Sequence, residues 1–136
     1  ASGHGDALGQ GSASAALSDL LTLATIVLPN LPERAALDMP GTLQMLVTGG
    51  HAPGDTVINR WLQDGQALRE WHWPRLLGTY HGSGCTLAAA LAARLALGES
   101  MAVALERAQA YTHATLAQSF AVAPGQRIPR RLCQPH

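Results

Sequence analysis

Two short apolar runs constrain the fold of this chain more than any other feature of its sequence. Residues 24–28 are ATIVL and residues 44–48 are QMLVT, and proline or glycine follows each run at once. Short runs without polar alternation are typical of strands that are buried on both faces, as in parallel sheets. Residues 14–23, before the first run, have apolar positions at helical spacing. This alternation of helix and buried strand predicts an α/β fold with a layered sheet.

A β-hairpin is predicted over residues 56–73. Asp64 and Gly65 separate two runs that are rich in branched and aromatic residues. Asp-Gly between two such runs is a strong hairpin signal, because both turn positions tolerate left-handed backbone. Polar and apolar residues alternate along the first run, so one face of the hairpin is expected to be wetter.

A glycine-rich turn at residues 81–86 (HGSGCT) leads directly into an apolar helix. Small residues let the backbone approach a ligand, and the positive end of the helix dipole favours an anion there. The same field stabilises a thiolate, which makes Cys85 a candidate reactive thiol. The helix over residues 85–97 is apolar nearly all round, so we expect it to be central and buried.

The C-terminal part of the chain is predicted to contain one more helix and a tail. The helix covers about residues 101–120, and residues 121–136 contain three prolines and are interpreted as a loose tail. Helical spacing puts these residues on the inner face of the helix: Met101, Leu105, Ala108, Thr112 and Leu116.

Polar and small residues follow both predicted buried strands. Asn30 and Glu33 come after the first strand, and Gly49 and Gly50 come after the second. Ligands of open α/β sheets bind at this edge, beyond the carboxyl ends of the strands. Asn30 and Glu33 also have a purely structural interpretation, as a helix cap and a first-turn acid, and their spacing alone favours it.

Composition excludes several classes of protein. The 136 residues correspond to about one domain, and 47% of them are hydrophobic, which is typical of a folded core. Only 13% are charged and the formal net charge is zero, so a nucleic-acid partner is not expected. All nine basic residues are arginine, which excludes a Schiff-base lysine and a Walker-type phosphate lysine within this chain.

The cellular setting follows from two further features. No apolar stretch is long enough to span a bilayer, and the start of the sequence lacks the pattern of a signal peptide, so no membrane partner is expected. Cys85 and Cys133 lie far apart and form no recognisable pair. A reducing, cytoplasmic location is therefore predicted.

Four stretches of the chain carry motifs that occur together in one enzyme family. Residues 1–8 contain ASG and DAL, residues 27–33 are VLPNLPE, residues 46–51 are LVTGGH and residues 81–87 are HGSGCTL. In that order they resemble the loop after a DPV strand, TPNxxE, VLVKGGH and HGTGCTLS of the hydroxymethylpyrimidine/phosphomethylpyrimidine kinases of thiamine biosynthesis. The last motif is the most specific, because other ribokinase-like enzymes usually carry aspartate where this branch carries cysteine.

The resemblance implies a three-layer α/β/α ribokinase-like fold, of which this chain would be the C-terminal half. It implies a mainly parallel sheet with flanking helices, a kinase-domain half over residues 1–120 and a tail over residues 121–136. The implied reaction is phosphoryl transfer from ATP to hydroxymethylpyrimidine or its monophosphate, with Mg²⁺ as cofactor.

The resemblance also implies roles for individual residues. Cys85 matches the residue proposed to take the proton from the substrate hydroxymethyl group. The pair Asn30 and Glu33 matches the residues that organise magnesium, largely through water. The remaining matched residues are an anion hole at Gly82, Ser83 and Gly84, and a nucleotide-binding turn at Thr48, Gly49 and Gly50.

Departures from the family pattern leave several alternatives open. Thr48 stands where the family often has lysine, and the half that carries most pyrimidine contacts is not in this sequence. A longer chain or a partner would then supply that half, and a homodimer is a further alternative. Other candidate functions are a pyridoxal-type kinase, a non-catalytic nucleotide-binding remnant, and a hydrolase or transferase with Cys85 as nucleophile and His81 as base.

Overall fold

The computed structural model describes residues 13–36 and 40–132, which form two compact units. The first unit ends at Arg75 and the second begins at Leu76. Residues 1–12, with the first of the four motifs, and residues 133–136, with Cys133, lie outside the described residues. The division of the chain into a domain over residues 1–120 and a tail therefore stays a prediction.

The first unit contains two helices and a three-stranded sheet. The strands lie in the order β1-β2-β3, and neighbours pair antiparallel. The elements are α1 (Ala13–Leu23), α2 (Leu31–Ala36), β1 (Met45–Val47), β2 (Thr56–Gln63) and β3 (Gln66–Pro74).

The turn between β2 and β3 confirms the predicted hairpin. Asp64 has φ 51° and Gly65 has φ 74°, so both turn residues are left-handed. Two successive left-handed residues define the type I′ turn, whose twist matches that of the strands on either side. Gln63 pairs with Gln66 directly across it.

The exposed face of the hairpin carries an ion-pair cluster around Glu70. Its carboxylate accepts a 2.6 Å hydrogen bond from Nε of Arg60 and lies 2.6 Å from Nε2 of His72. The hydrogen bond from Arg60 is the main reason that the pKa of Glu70 lies below its ordinary value of 4.5. Desolvation opposes this shift, and His72 lowers the pKa further. Because the folded pKa is depressed, this pairing stabilises the fold above the unfolded pKa and is lost as the pH falls through the folded pKa.

The first predicted strand, residues 24–28, is replaced by an extended segment beside β1. Three backbone hydrogen bonds of 2.9–3.0 Å join residues 27–29 to residues 44–48 in parallel bridges. The α/β class is confirmed, but the named strands pair antiparallel rather than mainly parallel. The long strands are the two arms of the hairpin, and a two-residue turn permits only antiparallel pairing.

The core of the first unit lies between α1 and the sheet. Leu21 of α1 packs with Met45 and Val47 of β1, and all three are buried. Partly buried residues close this cluster: Leu17, Val27, Leu43 and Leu62. This cluster holds β1 in place, and the predicted nucleotide turn begins where β1 ends.

The second unit contains α3 (Ser83–Ala96) and α4 (Met101–Ala117), which pack against each other. The predicted inner face of α4 is largely correct, since Leu105, Ala108 and Thr112 are buried. The other two predicted positions, Met101 and Leu116, are half-buried. No helix in the described ranges combines the length and apolar character that crossing a bilayer requires.

The prediction that α3 is buried all round was wrong. Only Thr86, Leu87 and Leu91 of this helix are buried, while Ala88 and Ala89 are exposed. Apolar composition makes a helix capable of burial, but the number of neighbouring elements decides how much of it is covered. Within the described second unit, α4 is the helix that covers it.

Residues 121–132, which belong to the predicted tail, are hydrogen-bonded to other residues of the second unit. Arg127 is bridged to Tyr80, its backbone NH donates to Thr79 at 2.8 Å, and its Nε donates to Oγ of Ser119 at 2.8 Å. Ile128 exchanges backbone hydrogen bonds with Phe120. Prolines end helices without preventing such pairing by the residues around them.

We expect Gly65→Ala to lower the free energy of unfolding by about 1–2 kcal/mol, because a side chain with Cβ is strained at a left-handed turn position. Urea denaturation followed by tryptophan fluorescence measures this loss. Gly41→Ala is the control, since no atom lies within 4 Å of a Cβ at position 41 and no positive φ is present there. Equal losses in the two variants would contradict the role of the turn.

Candidate functional site

Asn30 and Glu33 form a reciprocal cap at the start of α2. Oδ1 of Asn30 accepts a 2.8 Å hydrogen bond from the Glu33 amide, and Oε2 of Glu33 accepts a 3.0 Å bond from the Asn30 amide. This is the capping-box arrangement, which satisfies two donors at a helix start. The pair therefore caps α2, and its role in holding magnesium stays a prediction. Oε1 of Glu33 has no hydrogen-bond partner among the described residues.

The nucleotide turn predicted at Thr48, Gly49 and Gly50 begins at the same edge. The Thr48 amide donates to Pro29 at 2.9 Å, and a parallel bridge joins Thr48 to Asn30. The fold therefore brings the capped start of α2 next to the end of β1.

Gly49 has a packing role that the sequence did not reveal. It is buried, its amide donates a 3.0 Å hydrogen bond to Oδ1 of the buried Asn59, and a Cβ there would collide with the Ile58 carbonyl. Gly50 is exposed, with no atom within 4 Å of an added Cβ. Of the two glycines, only Gly50 is exposed, so only its backbone can be approached by a ligand, at groups other than the carbonyl that Arg75 binds.

Arg75 holds the loop that follows this turn. Its guanidinium donates to the backbone carbonyls of Gly50, at 2.7 Å, and of Ala52 and Gly54. Its own amide donates to Asp55 at 2.8 Å. Sequence reasoning missed this residue, although a signal existed: hairpin pairing sets the end of β3 opposite the start of β2, and the loop immediately precedes β2.

The glycine-rich turn of the second unit opens α3. Gly82 is the N-cap residue in left-handed conformation, with φ 83°, and no side chain caps the helix. Thr86 donates to the Gly82 carbonyl through its amide, at 3.0 Å, and through Oγ1, at 2.7 Å. Amides of a first helical turn have no partner within the helix, so this start is able to bind an anion.

Ser83, Gly84 and Cys85 form the first turn of α3. Gly84 and Cys85 are exposed, and nothing lies within 4 Å of a Cβ built at Gly84. The backbone of this turn is therefore accessible, and the Cys85 thiol stands beside it. His81 is exposed too, and no hydrogen bond joins its ring to the thiol within the part of the chain described.

A second residue that the sequence analysis missed lies against this turn. Nε of Arg131 donates a 3.0 Å hydrogen bond to Oγ1 of Thr86. A Cβ at position 82 would lie 2.6 Å from Nη2 of Arg131. The positive φ favours glycine at position 82, and the absence of a side chain there lets this guanidinium lie against the turn.

The predicted site residues fall into two groups, one in each compact unit. The cap, the end of β1 and the nucleotide turn belong to the first unit, and the glycine-rich turn with Cys85 belongs to the second. Residues 13–36 and 40–132 contain no group of three or more His, Cys, Asp or Glu side chains able to hold a metal ion. Magnesium with several water ligands needs fewer protein groups than that.

The fold matches that of a solved vitamin kinase. The structure of the pyridoxal kinase from Staphylococcus aureus in complex with AMP-PCP and pyridoxal superimposes with a TM-score of 0.76 at 25% identity, covering 87% of this chain and 52% of that one. Together with the glycine-rich turn, this likeness identifies a kinase-type α/β fold of the ribokinase-like class.

Sequence comparison identifies a family within this fold class. The family model described as phosphomethylpyrimidine kinase matches residues 37–129, and the chain belongs to this family. It is 37% identical to the hydroxymethylpyrimidine/phosphomethylpyrimidine kinase of Streptomyces coelicolor, covering 90% of this chain and 52% of that protein. The enzyme of the same name from Rhizobium meliloti is 36% identical, with 90% and 53% covered. The chain thus spans about half the length of these relatives.

We expect Arg75→Gln to loosen the loop over residues 50–54, because three carbonyls lose their donor. Hydrogen exchange should show at least about tenfold faster exchange there, as expected for loss of about 1.4 kcal/mol of local stability. Arg60→Gln removes the same charge from an exposed ion pair of the same unit and should leave the loop unchanged. Unaltered hydrogen exchange of the loop in Arg75→Gln would contradict the role of Arg75 in holding this loop.

Proposed function

We propose that this chain forms the phosphoryl-transfer half of an ATP-dependent kinase that acts on hydroxymethylpyrimidine or its monophosphate in thiamine biosynthesis. The observation that carries the proposal is the uncapped, glycine-opened start of α3 with an exposed thiol in its first turn. It lies within the region that matches the phosphomethylpyrimidine kinase family. The two relatives described above bear the name of that activity.

The glycine-rich turn would act on the transferred phosphoryl group. Phosphoryl transfer depends mostly on positioning and on stabilising negative charge, which backbone amides and a helix dipole supply without reorganisation. Gly82, Ser83 and Gly84 provide these amides in an accessible backbone. Cys85, exposed in the same turn, would accept the proton that the substrate hydroxyl loses as it attacks.

Asn30 and Glu33 would hold magnesium through water. Both are half-buried and tied into the cap of α2, but one carboxylate oxygen of Glu33 is not used by that cap. A single anionic oxygen with coordinated water is a donor set that suits this hard cation. The ion would neutralise charge on the nucleotide phosphates.

Thr48 and Gly50 would face the nucleotide. Gly50 leaves its backbone exposed, and Thr48 offers a hydroxyl where the family often has a charged side chain. The pyrimidine contacts would come from a further half of the enzyme, which would lie in the same polypeptide, in a partner chain or in a second copy of this chain. The enzyme would be cytoplasmic. Similarity to a ligand-bound pyridoxal kinase supports a pyridoxal-type kinase as the second candidate function.

The proposed activity predicts magnesium-dependent ADP release from ATP by the intact protein with hydroxymethylpyrimidine or its monophosphate. Faster turnover with pyridoxal would favour the second candidate. Cys85→Ala should lower kcat at least about 100-fold, the usual contribution of a general base, with little change in nucleotide affinity. Cys133→Ala is the matched control. Unchanged turnover in Cys85→Ala would overturn the role of the thiol.

Glu33→Gln separates the charge of Glu33 from its capping role. Glutamine also serves in a capping box, so the free energy of unfolding should change by no more than about 0.5 kcal/mol. Loss of the carboxylate should raise the magnesium concentration for half-maximal activity several-fold. A magnesium titration together with urea denaturation measures both effects. An unchanged titration would mean that Glu33 acts only in the cap.

A further inference from the structure

We propose that Arg131 is a phosphate-binding residue of the glycine-rich turn and supplies the positive charge that interacts with the transferred phosphoryl group. The proposal rests on the proposed function, because it concerns the same anion hole. It adds a residue from the C-terminal segment, far from the motif in sequence.

The guanidinium of Arg131 lies directly on the turn. Nε donates to Oγ1 of Thr86, and this hydroxyl in turn donates to the Gly82 carbonyl. Nη2 occupies the side of Gly82 where another residue would carry its Cβ. One edge of the guanidinium is thus fixed to the turn that presents the amides.

The terminal nitrogens of Arg131 remain able to bind a ligand. Within the described residues, neither Nη1 nor Nη2 has a hydrogen-bond partner, and no carboxylate pairs with this side chain. Two parallel N–H groups of a guanidinium match two oxygens of a phosphate, and charge-assisted bonds of this kind are about twice as strong as neutral ones.

The backbone of the C-terminal segment holds Arg131 in position. The Tyr111 hydroxyl donates a 2.6 Å hydrogen bond to the Arg131 carbonyl, and the Arg130 amide donates to Thr115 at 3.0 Å. Both contacts tie the segment to α4, which packs against α3. The guanidinium therefore needs little reordering on binding, which favours affinity.

The other arginines of the described second unit are engaged elsewhere. Arg94 and Arg107 pair with Glu99, and Arg127 binds Ser119. The guanidinium of Arg130 lies 5.7 Å from the centre of the Phe120 ring. The chain has no lysine. Among the arginines of the described second unit, Arg131 is therefore the one whose side chain contacts the glycine-rich turn.

The test measures phosphate binding by protection of Cys85, which requires neither turnover nor pyrimidine. The intact protein is alkylated with iodoacetamide in rising inorganic phosphate, with chloride keeping the ionic strength constant. Mass spectrometry of the Cys85 peptide gives the alkylation rate. Phosphate bound at the first turn of α3 should slow this rate, and the concentration for half-maximal protection is the apparent Kd.

Arg131→Gln should raise the apparent Kd for phosphate at least about tenfold, the loss expected for one charge-assisted hydrogen bond. Arg131→Lys keeps the charge but loses the paired N–H groups, so it should weaken phosphate binding less than Arg131→Gln does. Arg130→Gln removes the neighbouring charge and should leave the apparent Kd unchanged. Circular dichroism melting checks that each variant folds.

Four results would overturn the assignment. Equal protection in Arg131→Gln and the parent protein would leave the anion hole intact and remove Arg131 from it. Weakening in Arg130→Gln equal to that in Arg131→Gln would reduce the effect to general charge. An Arg131→Lys variant that weakens phosphate binding as much as Arg131→Gln does would show that the positive charge at position 131 contributes nothing. Absence of phosphate protection in the parent protein would reject the anion hole itself, and with it the mechanism proposed for the kinase.

Discussion

The two candidate sites of this chain depend on how the first turn of a helix satisfies its backbone amides. At α2, Asn30 and Glu33 fill the cap with their own side chains. At α3, Gly82 adopts a left-handed conformation, and no side chain caps the helix. A filled cap stabilises the helix and leaves little for a ligand, whereas an open one needs an anion or water. The start of α3 is therefore better suited to binding a phosphoryl group than the start of α2.

The filled cap at α2 also limits how many oxygens of Glu33 are left to bind a ligand. One oxygen of its carboxylate is committed to the Asn30 amide, and the other has no partner among the described residues. A residue that caps a helix and orders water around a cation has to do both from one rotamer. A carboxylate can serve both roles because it has two oxygens and several lone pairs.

Arginine side chains position the loops around both sites. Arg75 binds three carbonyls of the loop after the nucleotide turn, Arg127 fastens the C-terminal segment, and Arg131 rests on the glycine-rich turn. A planar guanidinium with five donors can bind several acceptors at once, which a lysine ammonium does less specifically.

The sequence by itself determined the α/β class, the hairpin, the inner face of α4 and the family-specific turn, since each depends on local spacing or turn chemistry. Resemblance alone suggested the catalytic roles, and spacing favoured the capping role of Asn30 and Glu33. Tertiary structure decided that α3 is only partly covered, that residues 121–132 are anchored, and that Arg75 and Arg131 contact the two turns. The contact between Thr86 and Arg131 joins residues far apart in sequence, which no local pattern encodes, whereas the hairpin register already set Arg75 beside its loop.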